Sequence, residues 1–171
     1  MTHHHLPDGI LPWTRSCFVC GEDNKYGLRL KSRMVGGAVV IEYTPRPSDL
    51  GYSHIVHGGI VMTLLDEVMT WAAIIAAGKM CVMAEMSTRL LNPVAVGQQL
   101  RIEGRVTRHA SRLLLTEGVA FAVDGTIAMS RATGKYLPMS EDKIRLCEKD
   151  FVYSPAALPL ETILPGTKRH P

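Results

Sequence analysis

Residues 57–78 read HGGIVMTLLDEVMTWAAIIAAG and contain the longest apolar stretch of the sequence, residues 60–77. Its apolar residues follow the three- and four-residue spacing of one face of an α-helix: Val61, Leu64, Leu65, Val68, Ala72 and Ile75. Further apolar residues extend this surface nearly all round, so we expect a helix over residues 58–77 that other elements cover. Gly78 follows the last apolar residue, as glycine commonly does after a helix C-terminus.

Two adjacent carboxylates, Asp66 and Glu67, interrupt this apolar stretch. Ionised groups are rarely placed in a covered helix, because their desolvation costs free energy. The two side chains lie about 100° apart around the helix, so they face different surroundings and do not form a carboxylate pair of the glycosidase kind. Their presence also argues against a membrane span. A functional role for Asp66 competes with a structural one, in which Asp66 is a buried cap or forms an ion pair to an arginine such as Arg89.

The motif His57-Gly58-Gly59 opens the predicted helix. The first N–H groups of a helix lack backbone acceptors and lie at the positive end of the helix dipole. Glycine lets a ligand approach the backbone closely, so the motif suits an oxygen that becomes more negative during a reaction. Two glycines before a helix are equally typical of a tight turn, and the residues alone leave both interpretations open.

The spacing of Gly58 and Asp66 predicts an interface. Along a helix that rises 1.5 Å per residue, the two residues lie about 12 Å apart. One carbonyl group therefore cannot contact both of them in a single straight helix. Two such helices that lie antiparallel across a two-fold axis would bring Gly58 of one chain to Asp66 of the other. We therefore expect a dimer with two shared sites.

Six strand-like segments flank the helix, two before it and four after it. They cover residues 28–35, 38–44, 82–91, 99–108, 113–123 and 126–136. Gly36-Gly37 and Asp124-Gly125 are dipeptides that two-residue hairpin turns prefer, so neighbouring strands are expected to run antiparallel. We predict an α+β fold, in which a six-stranded, mostly antiparallel sheet wraps around one long central helix.

Length and composition indicate one domain. The 171 residues suffice for one core and are few for two. The chain has 46% hydrophobic and 20% charged residues, which is typical of a globular protein, and its net charge of +3 without a basic stripe does not indicate nucleic acid. We expect an N-terminal arm (residues 1–16), a domain (17–137) and a C-terminal extension (138–171) with a short helix at 141–149. Without a secretory signal, we expect a cytoplasmic protein.

Four cysteines, at positions 17, 20, 81 and 147, are too few for a disulfide framework. Cys17-x-x-Cys20 has the spacing of half a zinc site, but no second ligand pair follows. We therefore predict no metal site.

These motifs resemble those of the hot-dog-fold acyl-CoA thioesterases of the PaaI-like group. The resemblance rests on His57-Gly58-Gly59 followed by Leu65-Asp66-Glu67. It extends over roughly residues 17–136 through Cys17-x-x-Cys20-Gly21, Asn24, Gly27-Leu28, Asn92-Pro93-Val94, Gly97 and Asp124-Gly125. In that fold the sheet wraps around the helix, and two sheets join edge to edge in a dimer.

The resemblance implies hydrolysis of a fatty or aromatic acyl-CoA thioester. The Gly58 N–H would polarise the carbonyl, Asp66 from the partner chain would act as general base or nucleophile, and His57 would orient the site. Methionines would give the acyl group an adaptable apolar pocket. The substrate-contacting residues would be Gly59, His54, Met62 and Met83. Coenzyme A enters as part of the substrate, so no cofactor is expected, and the assembly is expected to be a homodimer or a dimer-of-dimers tetramer.

Two positions depart from the family pattern. Many members carry Asn or Gln where this chain has Gly51, and Ser or Thr where it has Met83. Both side chains would orient water or the carboxylate. Their absence favours an alternative, a non-catalytic protein that binds acyl-CoA or another small ligand on the same fold. A hot-dog hydratase or dehydratase and a purely structural oligomer are further alternatives.

Overall fold

The computed structural model of the protein describes residues 6–110, 112–123 and 126–165. Its strands are β1 (Gly9–Ile10), β2 (Trp13–Thr14), β3 (Arg33–Val35), β4 (Ala38–Tyr43), β5 (Leu50–Tyr52), β6 (Ile55–Val56), β7 (Cys81–Leu90), β8 (Leu100–Ala110), β9 (Leu113–Ala122), β10 (Ala128–Pro138) and β11 (Phe151–Val152). Its helices are α1 (Gly58–Ala77), α2 (Glu141–Glu148) and the short α3 (Leu160–Ile163). The main sheet has the order β1-β3-β4-β8-β9-β10-β7, and all its pairs are antiparallel.

The predicted α+β arrangement is confirmed, but the sheet has seven strands where six were expected. The additional strand, β1, comes from the predicted N-terminal arm, where Gly9 and Ile10 pair with Met34 and Arg33 of β3. Burial of the neighbouring Leu11 ties this segment to the core. A strand of two residues is too short to show an alternating pattern, so the sequence gives no signal for it.

The first predicted strand, residues 28–35, is too long. Only Arg33–Val35 is a strand. The N–H groups of Leu28 and Leu30 donate instead to the carbonyl oxygens of Phe18 and Val19, both at 2.8 Å. The remaining strands agree with the prediction to within two residues, whereas the predicted Asp124-Gly125 turn lies outside the described residues.

Helix α1 begins and ends where the sequence predicts. His57 is its N-cap, and Gly78 ends it in the left-handed conformation with φ 62°. By length and hydropathy alone α1 would pass as a membrane span, and half of that stretch is buried. Its buried face packs on strands β4, β7, β8, β9 and β10, as expected of a core helix.

Two glycines let α1 lie close to the sheet. Gly104 of β8 and Gly118 of β9 are directly opposed in the register. A Cβ atom on Gly104 would lie 2.5 Å from the carbonyl oxygen of Val68, and one on Gly118 would lie 3.1 Å from Cδ2 of Leu65. We call this pair the glycine saddle, because larger residues there would push the helix away from the sheet.

The C-terminal segment packs against the same chain. The predicted short helix is α2, and β11 pairs with β2 of the N-terminal segment. Phe151 meets the ring of Trp71 on α1 edge to face, with centroids 6.4 Å apart. Leu160 and Ile163 of α3 are buried in the core. This segment therefore covers part of the central helix.

Candidate active site

A buried carboxylate, Asp49, fixes the loop that leads into α1. It accepts hydrogen bonds from the Tyr43 hydroxyl and from the Arg46 backbone N–H, the latter at 2.8 Å. Burial acts to raise the pKa of Asp49, but these bonds from Tyr43 and Arg46 outweigh it and hold the pKa below its usual value. The Asp49 carbonyl oxygen accepts the His57 N–H at 2.8 Å. Asp49 thus positions the start of the helix, a role for which we found no sequence signal.

Gly51 lies against the same residue. A Cβ atom on Gly51 would lie 2.9 Å from Cα of His57, a distance that real Cβ atoms essentially never show. This backbone therefore has no room for the amide side chain that many thioesterases of the predicted group carry at this position.

The first turn of α1 leaves one backbone donor available. The Gly59 N–H donates to Nδ1 of His57 at 2.9 Å, and the Ile60 N–H donates to the His57 carbonyl oxygen at 2.9 Å. Within the described part of the chain, the Gly58 N–H has no acceptor. This N–H, which was predicted to polarise a carbonyl, is thus open at the positive end of the helix dipole.

Asp66 is held by two hydroxyl groups. Its Oδ1 accepts a hydrogen bond from the Tyr136 hydroxyl at 2.7 Å and from Oγ1 of Thr70 at 3.1 Å. Burial and the neighbouring Asp66 raise the pKa of Tyr136, so its hydroxyl stays protonated and donates. The alternative of an ion pair between Asp66 and an arginine such as Arg89 is wrong, because Asp66 forms no salt bridge in the part of the chain described.

Asp66 faces an open groove of about 370 Å³ between α1 and β7. The residues that line this groove are Met62, Thr63, Asp66, Met83, Met86 and Thr88. It brings together three of the predicted site residues, Asp66, Met62 and Met83. Thr63 and Thr88 add hydroxyl groups that the sequence analysis did not single out. The site is therefore an apolar groove with one carboxylate.

The other predicted site residues lie outside the lining of this groove. His57, Gly58 and Gly59 form the first turn of α1. His54 is exposed in the turn between β5 and β6, in the left-handed conformation with φ 63°. A Cβ atom on Gly58 would lie 2.8 Å from Cδ1 of Leu90, which places the helix N-terminus beside the end of β7.

A β-bulge aims Met83 into the groove. In the β7–β10 ladder, Glu85 is opposite Lys135 and Met83 is opposite Tyr136, so Ala84 is an extra residue. Successive side chains of a regular strand point to opposite faces, and Met83 would then point away from Met86. The extra residue reverses that alternation, and Met83 joins Met86 on the groove side.

Glu67 faces different surroundings from Asp66, as predicted. Its Oε1 accepts a hydrogen bond from Nε1 of Trp71 at 3.2 Å. Burial raises the pKa of Glu67 to about 8, with smaller contributions from the charges of Cys17 and Asp66. Glu67 therefore belongs to a separate cluster under the N-terminal segment.

Residues 6–110, 112–123 and 126–165 hold no group of three or more His, Cys, Asp or Glu side chains that is arranged to bind a metal ion. Cys17, Cys20, Cys81 and Cys147 are free thiols.

Comparison with known proteins shows which proteins this domain is similar to. Residues 53–129 match the family model of the thioesterase superfamily. The crystal structure of a thioesterase superfamily protein superposes with a TM-score of 0.65 at 26% identity, over 72% of this chain and 60% of that one. The PaaI protein of E. coli, from the phenylacetic acid degradation operon, superposes with a TM-score of 0.57 at 18% identity, over 61% and 74%.

Two further proteins are similar over a comparable length. A hypothetical thioesterase of Streptococcus pneumoniae TIGR4, crystallised with coenzyme A, has a TM-score of 0.57 at 22% identity, over 63% of this chain and 85% of that one. An uncharacterized protein of Schizosaccharomyces pombe is 26% identical over 110 residues, which are 62% of this chain and 63% of that protein. The chain spans less than two thirds of the yeast protein and of the 26% identical structure. The predicted resemblance is confirmed: this chain contains a hot-dog domain that matches the thioesterase superfamily.

Proposed function

We propose that this protein hydrolyses fatty or aromatic acyl-CoA thioesters. One observation carries the proposal: a carboxylate, Asp66, is held by the buried Tyr136 hydroxyl and faces an open apolar groove. The match to the thioesterase superfamily supports the reaction class. The coenzyme A in the S. pneumoniae structure supports the choice of ligand.

In this mechanism Asp66 acts as the general base. The hydroxyl groups of Tyr136 and Thr70 donate hydrogen bonds to Oδ1 of Asp66, whereas Oδ2 of Asp66 accepts none from the described part of the chain. Oδ2 takes a proton from water, and the water oxygen attacks the thioester carbon. The carbonyl oxygen becomes negative and is stabilised by the Gly58 N–H at the helix N-terminus. The oxyanion then reforms the carbonyl as the carbon–sulfur bond breaks, and the departing thiolate takes the proton from Asp66 and leaves as the coenzyme A thiol.

Each site is shared between two chains in this proposal, because Gly58 and Asp66 of one chain lie about 12 Å apart along the axis of α1. Gly58 lies beside Leu90, and Asp66 shares the groove with Met83. Two antiparallel copies of β7, paired about a centre between residues 86 and 87, would set Leu90 of one chain opposite Met83 of the other. The Gly58 N–H would then approach Asp66 of the partner subunit.

The exposed edge of the sheet supports this arrangement. β7 is an end strand of the main sheet, and several large apolar side chains along it or directly after it are exposed. They are Val82, Met83, Leu90 and Leu91. A long apolar edge strand is a template for pairing with another chain.

The test is release of free thiol from a panel of short, long and aromatic acyl-CoA substrates. We expect wild type to turn over at least one of them, and Asp66→Asn to lower kcat roughly 10²- to 10⁴-fold, as expected for loss of a general base. The matched control, Asp142→Asn on the exposed face of α2, should retain wild-type rates. If wild type hydrolyses none of these substrates, the proposed reaction is wrong.

A second candidate is a non-catalytic protein that binds acyl-CoA. It is favoured by Met83, which lies in the groove where many family members have a hydroxyl group. Thr88 supplies a hydroxyl group to the same groove from further along β7. Saturable binding of acyl-CoA without release of thiol would select this second candidate.

A further inference from the structure

Two cysteines, Cys17 and Cys20, lie away from the groove in the N-terminal segment, beside Glu67 of α1. We propose that Cys17 and Cys20 form a peroxide-reactive dithiol that closes reversibly to a disulfide. The proposal is independent of the thioesterase reaction, which uses neither residue.

The backbone holds the two cysteines on one tight turn. The Gly21 N–H donates to the Cys17 carbonyl oxygen at 2.9 Å. A Cβ atom on Gly21 would lie 2.4 Å from the carbonyl oxygens of Arg15 and Cys17, so this turn accommodates only glycine there. Residues three apart across a turn have Cα atoms within about 7 Å, close to the upper limit of the range that disulfides span. A Cys17–Cys20 disulfide therefore requires little movement of the backbone.

The two thiols have different surroundings. Cys17 is half-buried, and its Sγ accepts the Val19 N–H at 3.3 Å. Hydrogen bonding from the Cys20 thiol, together with the Cys20 and Val19 N–H groups, lowers the pKa of Cys17 to about 6 against the opposing effect of burial. Cys20 is buried, and the hydrogen bond to Cys17 and its burial raise its pKa. Cys17 is thus suited to the role of the attacking thiolate, and Cys20 to the role of the resolving thiol.

Glu67 completes this cluster from the side of the helix. Burial and the charge of Cys17 contribute to its raised pKa, and its Oε1 accepts a hydrogen bond from Nε1 of Trp71 at 3.2 Å. A carboxyl group with a pKa of about 8 exchanges a proton readily near neutral pH. Glu67 therefore suits transfer of the Cys20 proton. Cys81, in contrast, is buried in apolar surroundings that raise its pKa to about 12.

The reaction balances with a hydroperoxide as the oxidant. The Cys17 thiolate attacks one peroxide oxygen, the O–O bond breaks, and a sulfenic acid and hydroxide form. The sulfur of Cys20 then attacks Cys17, the S–S bond forms and the S–O bond breaks. Glu67 passes the Cys20 proton to the departing hydroxide, which leaves as water. The hydroxide of the first step takes up the proton that Cys17 released to solvent when it ionised. In total the two thiols lose two electrons, and hydrogen peroxide becomes two molecules of water.

The first measurement uses the unmodified protein. Reduced protein is treated with hydrogen peroxide, the remaining thiols are alkylated, and tryptic peptides are analysed by mass spectrometry. Cleavage after Arg15 and Lys25 isolates both cysteines on the peptide of residues 16–25. We expect this peptide to lose two hydrogens and to escape alkylation before the peptides with Cys81 and Cys147 react. Dithiothreitol should restore its alkylation. Equal reaction of Cys147, or no intramolecular disulfide, would overturn the proposal.

Two variants separate the roles of the two thiols. In Cys20→Ser, oxidation should stop at a Cys17 sulfenic acid that dimedone traps. In Cys17→Ser, the remaining Cys20 should stay reduced at the same peroxide concentration, because it is buried and protonated. Trapping at Cys20 rather than Cys17 would contradict the proposed order of attack. Circular dichroism establishes that each variant is folded before the comparison.

Discussion

At the scale of single residues, Tyr136 is the side chain that positions the proposed base. Tyr136→Phe removes the hydroxyl group that donates to Asp66 and leaves the ring in place. A hydrogen bond to a charged group is worth about 1.5–3 kcal/mol, so we expect kcat to fall roughly 10- to 100-fold. KM should change little, because the ring and the groove lining remain. Steady-state thiol release gives both constants.

The control for this experiment is Tyr26→Phe, which removes an equivalent hydroxyl from a side chain that is 87% exposed. It should have wild-type kcat. A Tyr136→Phe protein with wild-type kcat would show that Asp66 does not depend on this hydroxyl, and a parallel rise in KM alone would indicate altered substrate binding.

Glu67 makes stability depend on pH. Its folded-state pKa of about 8 lies above the usual 4.5, so between these values the folded state holds a proton that the unfolded state has lost. The free energy of unfolding therefore falls as pH rises through this window, by up to about 1.4 kcal/mol per unit of pKa difference. Glutamine does not ionise, so the free energy of unfolding of Glu67→Gln does not fall through this pH window. Urea unfolding should show the variant gaining stability relative to wild type from pH 5 to pH 9, and Glu141→Gln on exposed α2 should show no such trend.

At the scale of elements, the sequence predicts α1 well, because its signals are local. The N-cap His57 and the glycine Gly78 lie directly before and directly after the residues that form the helix. The bulge at Ala84 has no such signal, since it is defined only by the register between β7 and β10. The same holds for β1, whose two residues are a strand only because β3 lies beside them.

The glycine saddle gives a prediction about how α1 packs. Gly104→Ala would place a methyl group 2.5 Å from the Val68 carbonyl oxygen. This oxygen belongs to the backbone of α1, so it cannot rotate away as a side chain can. We expect a loss of about 1–3 kcal/mol in the free energy of unfolding, as for other overpacked cores. Gly118→Ala is the matched control, because its methyl group meets only side-chain atoms of Leu65 and Met69 at 3.1 Å. Chemical denaturation should rank Gly104→Ala as clearly the less stable, and equal stabilities would contradict a backbone contact at the saddle.

At the scale of the whole molecule, the candidate site divides into a part that the sequence reveals and a part that it does not. Asp66 and the first turn of α1 are visible because they lie within one continuous motif. The partners that hold them come from elsewhere: Tyr136 is 70 residues from Asp66, on the strand that pairs with β7. Asp49 acts through a backbone carbonyl, which any residue type possesses. Only folding brings these groups together.

The proposed sharing of sites between chains leads to a complementation experiment. In Gly58→Val the side chain crowds the open N–H, since even a Cβ atom at this position would lie 2.8 Å from Cδ1 of Leu90. Asp66→Ala removes the proposed base. Each variant alone should be nearly inactive. In a mixed dimer, Gly58 of the Asp66→Ala chain meets the intact Asp66 of the partner subunit, and one of the two sites is restored. Random mixing in equal amounts makes about half of the dimers mixed, so about a quarter of wild-type activity should return.

The measurement is thiol release after the two variants are unfolded together and refolded, with sedimentation velocity to establish that dimers have formed. Separately refolded variants that are combined without exchange are the control, and they should stay inactive. The result depends on geometry alone: a site built within one chain contains either the valine or the alanine in every dimer. Dimers that form without recovery of activity would therefore mean that Gly58 and Asp66 of the same chain form each site, and the antiparallel pairing of β7 would have to be abandoned.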